Sequence, residues 1–303
     1  MQLDAASLAR LGTMAVRARV LVQGALSGLH RASHRGSSVE FAEHKQYSPG
    51  DEIRHIDWKS YAKQGKYFVK QFDQESQLTV YLVLDASGSM NFAGGGASKL
   101  EYAATALASL AYLVSQQQDR IGLLIFGGSE TVIPASGRVQ LRDVMDALET
   151  ANSSGGRGQN SASAALQRIA ELNRRRRALV ILASDLFDAS GDAVPALQKL
   201  RAAGHDVSVL QTMAPDELTF PYDGMTLFES LETDHRLLAN PAAIRAEYLR
   251  KMQAFLGNTK EQLQRAGLDY HLVETNKPVE TTLRDLLIAR NALMRGRSVG
   301  VRG

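Results

Sequence analysis

The 303-residue chain contains no cysteine. That absence excludes a disulfide scaffold, a zinc ribbon, an iron–sulfur centre and a thiol nucleophile. An excess of one charge is also missing: 35 Lys+Arg against 32 Asp+Glu leave only +3. So small a surplus argues against nucleic acid as a partner. Long apolar runs are lacking too. A membrane-spanning helix needs about 20 apolar residues, and the longest charge-free candidate, Tyr102 to Gln118, is alanine-rich and ends in Ser-Gln-Gln-Gln. Arg10, Arg17 and Arg19 interrupt the N-terminal apolar residues, and no cleavage-site pattern follows them. The expectation is a cytoplasmic chain with no membrane insertion. The seven histidines do not cluster at ligand spacing, and His-Glu-x-x-His does not occur.

What the chain does have is regular alternation after residue 78. Leu78–Leu84, Ile121–Phe126, Ala178–Ala183 and Val207–Leu210 are near-continuous apolar runs separated by helical patterns at about 98–117, 140–150, 162–173 and 192–203. Thr131–Ile133 reads as a strand beside the second run. Gly204 is placed to end the fourth helix. Buried strands alternating with helices predict an α/β fold with a mostly parallel sheet covered on both faces. Asn240 before Pro241 opens a long helix, with Ile244, Tyr248, Phe255 and Leu263 on one face. A strand at Tyr270–Val273 and a helix at about 280–290 complete the pattern. Ahead of residue 78, an amphipathic helix is expected at about 3–28. Residues 31–77 are polar and turn-rich with short strands such as Tyr67–Val69, and need the rest of the chain to pack on. The organisation expected is 1–77, a core at 78–215, and an extension of the same domain at 216–303 ending in a basic tail.

The chemistry concentrates after the first apolar run, in Asp85-Ala-Ser87-Gly-Ser89. In an open parallel sheet, ligands bind beyond the carboxyl ends of the strands where strand order switches. One carboxylate and two hydroxyls make a hard, oxygen-only donor set that suits Mg²⁺ or Mn²⁺. With so little negative charge around it, such an ion stays electrophilic enough to accept an acidic side chain from another molecule. Asp185 follows the third central run and is placed to face the same point. The loop Gly155–Ser161 can add an amide or hydroxyl from Asn160 or Ser161.

Asp-x-Ser-x-Ser after a hydrophobic strand resembles the metal-ion-dependent adhesion site of von Willebrand factor A domains. The flanks are more specific. His30-Arg31, Val39–Glu43 and Tyr47-Ser-Pro-Gly-Asp-Glu-Ile-Arg-His-Ile-Asp-Trp58 resemble the DUF58 family, as do Ser98–Tyr102, Gly204–Val207 and Leu227–Thr233. The resemblance runs from about residue 26 to about 290. It implies a von Willebrand A-like domain with a DUF58 segment packed on it, and a bacterial protein working with a MoxR-type AAA+ ATPase in protein assembly or maturation. Carried over by residue, Asp85, Ser87 and Ser89 are the first metal ligands and Asp185 is the second carboxylate, acting through water. The chain departs from the family where Gly-Gly-Thr-Asp is usual. Here Gln159-Asn160-Ser161 stands, with Asn160 at the threonine position.

Asp51, Arg54, Asp57 and Trp58 form a dense polar and aromatic cluster. It reads either as a partner-docking surface or as a buried Arg–Asp pair around a core tryptophan. Arg174–Arg177 reads as a solvated helix end. Catalysis finds little support. A dehalogenase-type phosphatase needs a second Asp where Ser87 stands, Gly-x-Ser-x-Gly is absent, and the glycine-rich stretches lack the P-loop Lys-Ser/Thr. The expectation is therefore a non-enzymatic, metal-ion-dependent protein-binding module that takes an acidic side chain of a partner. Two alternatives stand beside it: a divalent-metal-dependent phosphoester hydrolase using Asp85, and a metal-free structural adaptor.

Overall fold

A computed structural model of the chain describes residues 14–32, 44–46, 67–70, 78–128, 130–136, 140–156, 162–173, 177–187, 191–233 and 235–288. Residues 31–77 form one unit, and residues 1–30 with 78–303 form another. In the smaller unit, β1 (His44–Gln46) and β2 (Phe68–Lys70) pair antiparallel, with Lys45 opposite Val69.

The larger unit is built on a six-stranded sheet. Its strands are β3 (Thr79–Asp85), β4 (Arg120–Phe126), β5 (Thr131–Ser136), β6 (Leu179–Ser184), β7 (Asp206–Met213) and β10 (Asp269–Glu274), in the order β10-β7-β6-β3-β4-β5. Every neighbouring pair is parallel except β4 with β5. Because side chains alternate across a strand, β3 sends Val80, Leu82 and Leu84 to one core and Tyr81 and Val83 to another. A strand buried on both faces has to be apolar throughout, and β3 is buried along its whole length.

The first core is closed by α1 (Met14–Ala32), α2 (Lys99–Gln116), α3 (Leu141–Ser154) and α8 (279–288). The second is closed by α4 (Ala162–Leu172), α5 (Ala193–Ala202) and the end of α7 (Pro241–Arg265). Helices thus cover both faces of a mostly parallel sheet, as the apolar runs predict. Met14, Ala18 and Leu21 of α1 lie in the first core, and the buried guanidinium of Arg17 reaches Glu101 at 3.5 Å. Helix ends follow their local chemistry. Asn240 Oδ1 accepts from Ala242 N at 3.0 Å, and Gly204 takes φ +91 just beyond α5, a conformation that favours glycine.

Two features depart from the sequence pattern. Ile244 is exposed, and the buried residues of α7 include Met252, Thr259 and Leu263. A hairpin of β8 (Thr226–Glu229) and β9 (Arg236–Ala239) stands between α6 (Pro215–Thr219) and α7, in a stretch with no clean period-two apolar alternation. Among the described residues, no helix is long and apolar enough to cross a membrane.

Candidate functional site

The chain leaves β3 for β4 on one side and later returns to β6 on the other, so the order of the sheet switches between β3 and β6. Parallel pairing of Leu84 with Ala183 brings the carboxyl ends of the two strands level. Asp85 and Ser184 therefore meet: Ser184 Oγ donates to Asp85 Oδ2 at 2.6 Å. Ser87 N donates to Asp85 Oδ1 at 2.9 Å, a local turn that sends the chain into a single 3₁₀ turn over Gly88–Asn91. Met90 is fully buried beneath this turn, while Ser87 and Ser89 stay half-buried. Their hydroxyls converge to 3.2 Å. Asp85, Ser87 and Ser89 are thus brought together as the sequence spacing suggests.

Burial pushes the Asp85 carboxyl up from its ordinary 3.8 to about 6, and the negative charge of Asp185 pushes the same way. Hydrogen bonds from Ser184 and Ser87 only partly offset this. Asp185 itself is 1% exposed, and its charge is already engaged: Lys99 Nζ donates to Oδ2 at 2.8 Å and Phe187 N donates to Oδ1 at 3.0 Å. The same ammonium donates to Glu217 Oε1 at 2.6 Å. Burial raises the Glu217 carboxyl, opposed by the Lys99 charge. The Phe187 ring lies 5.0 Å from the Lys99 ammonium and the Phe92 ring 6.0 Å, so the cation is enclosed by carboxylates and π faces.

Lys99, Ser184 and Glu217 were not singled out from the sequence, although one signal was present. Lys99 follows the N-cap Ser98, whose Oγ accepts from Glu101 N at 3.0 Å. The first turn of a helix disfavours cations. A lysine there, ahead of an alanine-rich buried helix, needs a carboxylate partner elsewhere in the fold. Glu217 is harder to foresee, because the short α6 carries no periodic pattern. It is set by its own N-terminal turn, where Ala214 N donates to Glu217 Oε2 at 2.8 Å.

A second loop closes on the site from the far side. Asn91 holds Gly156 by a pair of hydrogen bonds, Nδ2 donating to the Gly156 carbonyl and Oδ1 accepting from its N–H, each 2.8 Å. Gly156 is so close to the Asp85 loop that a Cβ there would sit 2.1 Å from the Ser87 carbonyl oxygen, so only glycine fits. Asn160 and Ser161, which follow this loop, lie outside the described residues, as do Asp51, Arg54, Asp57 and Trp58. A third segment arrives from the β8–β9 turn, where Glu232 Oε1 accepts from Ser89 N at 3.4 Å.

The donor set can be tested against a divalent ion. Asp85 with the converging Ser87 and Ser89 hydroxyls offers only hard oxygens, which suits Mg²⁺ or Mn²⁺. Around them stand the carboxylates of Asp85, Asp185 and Glu217 with one ammonium, Lys99, in direct contact with the latter two. Asp85 is the member whose charge has hydroxyl and amide partners but, among the described residues, no cation in contact. These residues fit the ion. Among the described residues, no group of three or more His, Cys, Asp or Glu forms a conventional metal cluster. Any ion here would therefore depend on the serine hydroxyls.

Fold and site together define an α/β domain whose polar, oxygen-only loop sits at the switch point of a mostly parallel sheet. Residues 43–255 match the family described as Protein of unknown function DUF58, and the chain belongs to that family. The uncharacterized protein Rv1480 of Mycobacterium tuberculosis is 25% identical over 274 residues, covering 89% of this chain and 85% of that protein. The uncharacterized protein Mb1516 of Mycobacterium bovis matches to the same extent, 25% over 274 residues and 89% and 85% of the two chains. Among solved structures, the conserved hypothetical protein BatB from Bacteroides thetaiotaomicron is similar with TM-score 0.46 and 16% identity, covering 70% of this chain and 98% of that one. The SpRpn10 VWA domain is similar with TM-score 0.33 and 10% identity, covering 45% and 75% respectively.

Proposed function

We propose that this protein is a metal-ion-dependent protein-binding module of von Willebrand A type, without catalytic activity of its own. In this reading Asp85, Ser87 and Ser89 hold Mg²⁺ or Mn²⁺. Asn160 or Ser161 supplies a further oxygen, and Asp185, paired with Lys99, lines the back of the site. The ion, when bound, supplies an electrophilic position for an acidic side chain of a partner protein. The chain's own residues do the rest. Ser184 orients the Asp85 carboxylate, and Lys99 neutralises Asp185 so that two adjacent strand ends can both carry carboxylates.

The observation that carries the reading is the buried Asp85 carboxylate, which lies beside two converging hydroxyls and, among the described residues, has no cation in contact. A buried charge without a cation is costly, and a divalent ion at the loop removes that cost. The proposed role is that of an adaptor or co-chaperone for a MoxR-type AAA+ ATPase in protein assembly or maturation, with the ATPase supplying the energy. The partnership is what the resemblance of the motifs flanking the site implies.

Calorimetric titration with Mg²⁺ and Mn²⁺ should show uptake of one ion by the wild type and none by Asp85→Ala. Capture of the ATPase from extract should require the ion and fail with the same variant. No uptake of either ion would leave a metal-free adaptor as the better reading. Turnover of a generic phosphoester by the wild type, lost in Asp85→Asn, would favour a hydrolase.

A further inference from the structure

The turn between β8 and β9 lies directly on the Asp85–Ser89 loop. Gly88, between the two serines, has no room for a side chain: a Cβ there would sit 2.3 Å from the Leu231 carbonyl oxygen and 3.0 Å from Glu232 Cγ. Beside this backbone contact, the Glu232 carboxylate accepts from Ser89 N at 3.4 Å. The turn has a defined shape: Ser230 N donates to the His235 carbonyl at 2.9 Å, and Ser230 Oγ accepts from Thr233 N at 3.1 Å. Its stem is fixed by Phe228, whose ring stacks on Phe220 at 5.6 Å and meets Tyr222 edge-on at 5.7 Å. Leu227, Leu237 and Leu238 of the stem are exposed. The hairpin is thus fastened at one aromatic point and delivers an acidic side chain, on a shaped turn, to the serine loop.

We infer that Glu232 is an internal acidic ligand that caps the Ser87–Ser89 loop and holds the place an outside acidic side chain would take. The chemistry is shared: a carboxylate that accepts from the Ser89 amide is the same group a partner's Asp or Glu would bring. Binding of such a partner therefore requires the β8–β9 turn to withdraw, and the hairpin sets the threshold for binding. The competition with a metal-directed partner rests on the reading given above, whereas the cap itself rests only on the contacts at Gly88 and Ser89.

Two variants of the full chain separate these claims. Glu232→Ala removes an exposed carboxylate and leaves the core intact. Gly88→Ala keeps the carboxylate but drives the Leu231 carbonyl away from the loop. In metal-free protein, amide exchange at Ser89 should be on the order of tenfold faster in both variants than in the wild type, the scale of one lost hydrogen bond. With Mn²⁺ alone as probe, water-proton relaxation per bound ion should be higher in both variants, because a coordination position opens to water. Equal Ser89 exchange in all three proteins overturns the cap, whatever the ion does. Faster exchange in the variants with no Mn²⁺ uptake by any protein upholds the cap and overturns the metal reading. Equal relaxation in three proteins that all take up Mn²⁺ overturns Glu232 as a competitor for the ion.

Discussion

Asp85 and Asp185 end adjacent strands of one sheet, one residue out of level, and both are almost completely buried. Their surroundings are nevertheless opposite. Asp185 has an ammonium at 2.8 Å, two aromatic rings around that ammonium, and a backbone amide on its other oxygen. Gln211 on β7 also fixes its carbonyl at 3.0 Å and is itself held by Tyr270 at 2.8 Å. Asp85 accepts from the Ser184 hydroxyl and the Ser87 amide, with the Ser87 and Ser89 hydroxyls beside it. Asp185 is neutralised from within the fold and acts as a structural tie. Asp85 has no such ammonium among its described contacts.

The strongest way to abolish this difference is to remove the ammonium. Lys99→Met leaves Asp185 and Glu217 buried without their cation and should cost about 3–5 kcal/mol. Urea unfolding of the two proteins measures it, and a loss under about 1 kcal/mol would mean that the tie is not ionic.

A smaller effect comes from Asp85. Its folded pKa, about 6, lies above the ordinary 3.8, so the native state takes up a proton between these values. The stability Asp85 contributes is complete below 3.8 and is lost as pH rises through about 6. Metal-free Asp85→Asn should therefore gain on the wild type by about 3 kcal/mol above that window, and the gain should vanish below it. Urea midpoints at the two ends of the window give the difference, in which the titrations of Glu217 and His205 cancel. A gain that grows with acid would reverse the assignment.

The smallest expected change is Ser89→Ala. Its half-buried hydroxyl meets only Ser87 Oγ among the contacts described, so metal-free stability should move by less than about 0.5 kcal/mol. The rise in melting temperature that saturating Mg²⁺ gives the wild type should nonetheless shrink. An unchanged Mg²⁺ response would remove Ser89 from the ligand set.

Much of the architecture was legible because burial on two faces forces strands such as Val80–Leu84 and Val180–Ala183 to be apolar without interruption. The site loop was legible for a related reason: polar residues immediately after such a run can only lie at the sheet's carboxyl edge. What escaped depends on contacts between residues far apart in sequence. Nothing local ties Lys99 to Glu217, 118 positions away, or Ser89 to Glu232, 143 positions away. The hairpin escaped because its leucines, Leu227, Leu237 and Leu238, are exposed, so apolar residues do not mark an inward face. Ile244 is the mirror case, an apolar residue at core spacing on α7 that stays exposed.

The strand order also has a kinetic consequence. β3 and β4 are joined through a single helix, so their pairing closes a short loop at low entropic cost. β6 must return past β4, β5 and two further helices to dock on the other side of β3, and longer loops close later and more slowly. On loop closure alone, the β3–β4 pair is expected to form before β6 brings Ser184 and Asp185 against Asp85. Lys99, on the helix that joins β3 to β4, then already belongs to that pair when Asp185 arrives.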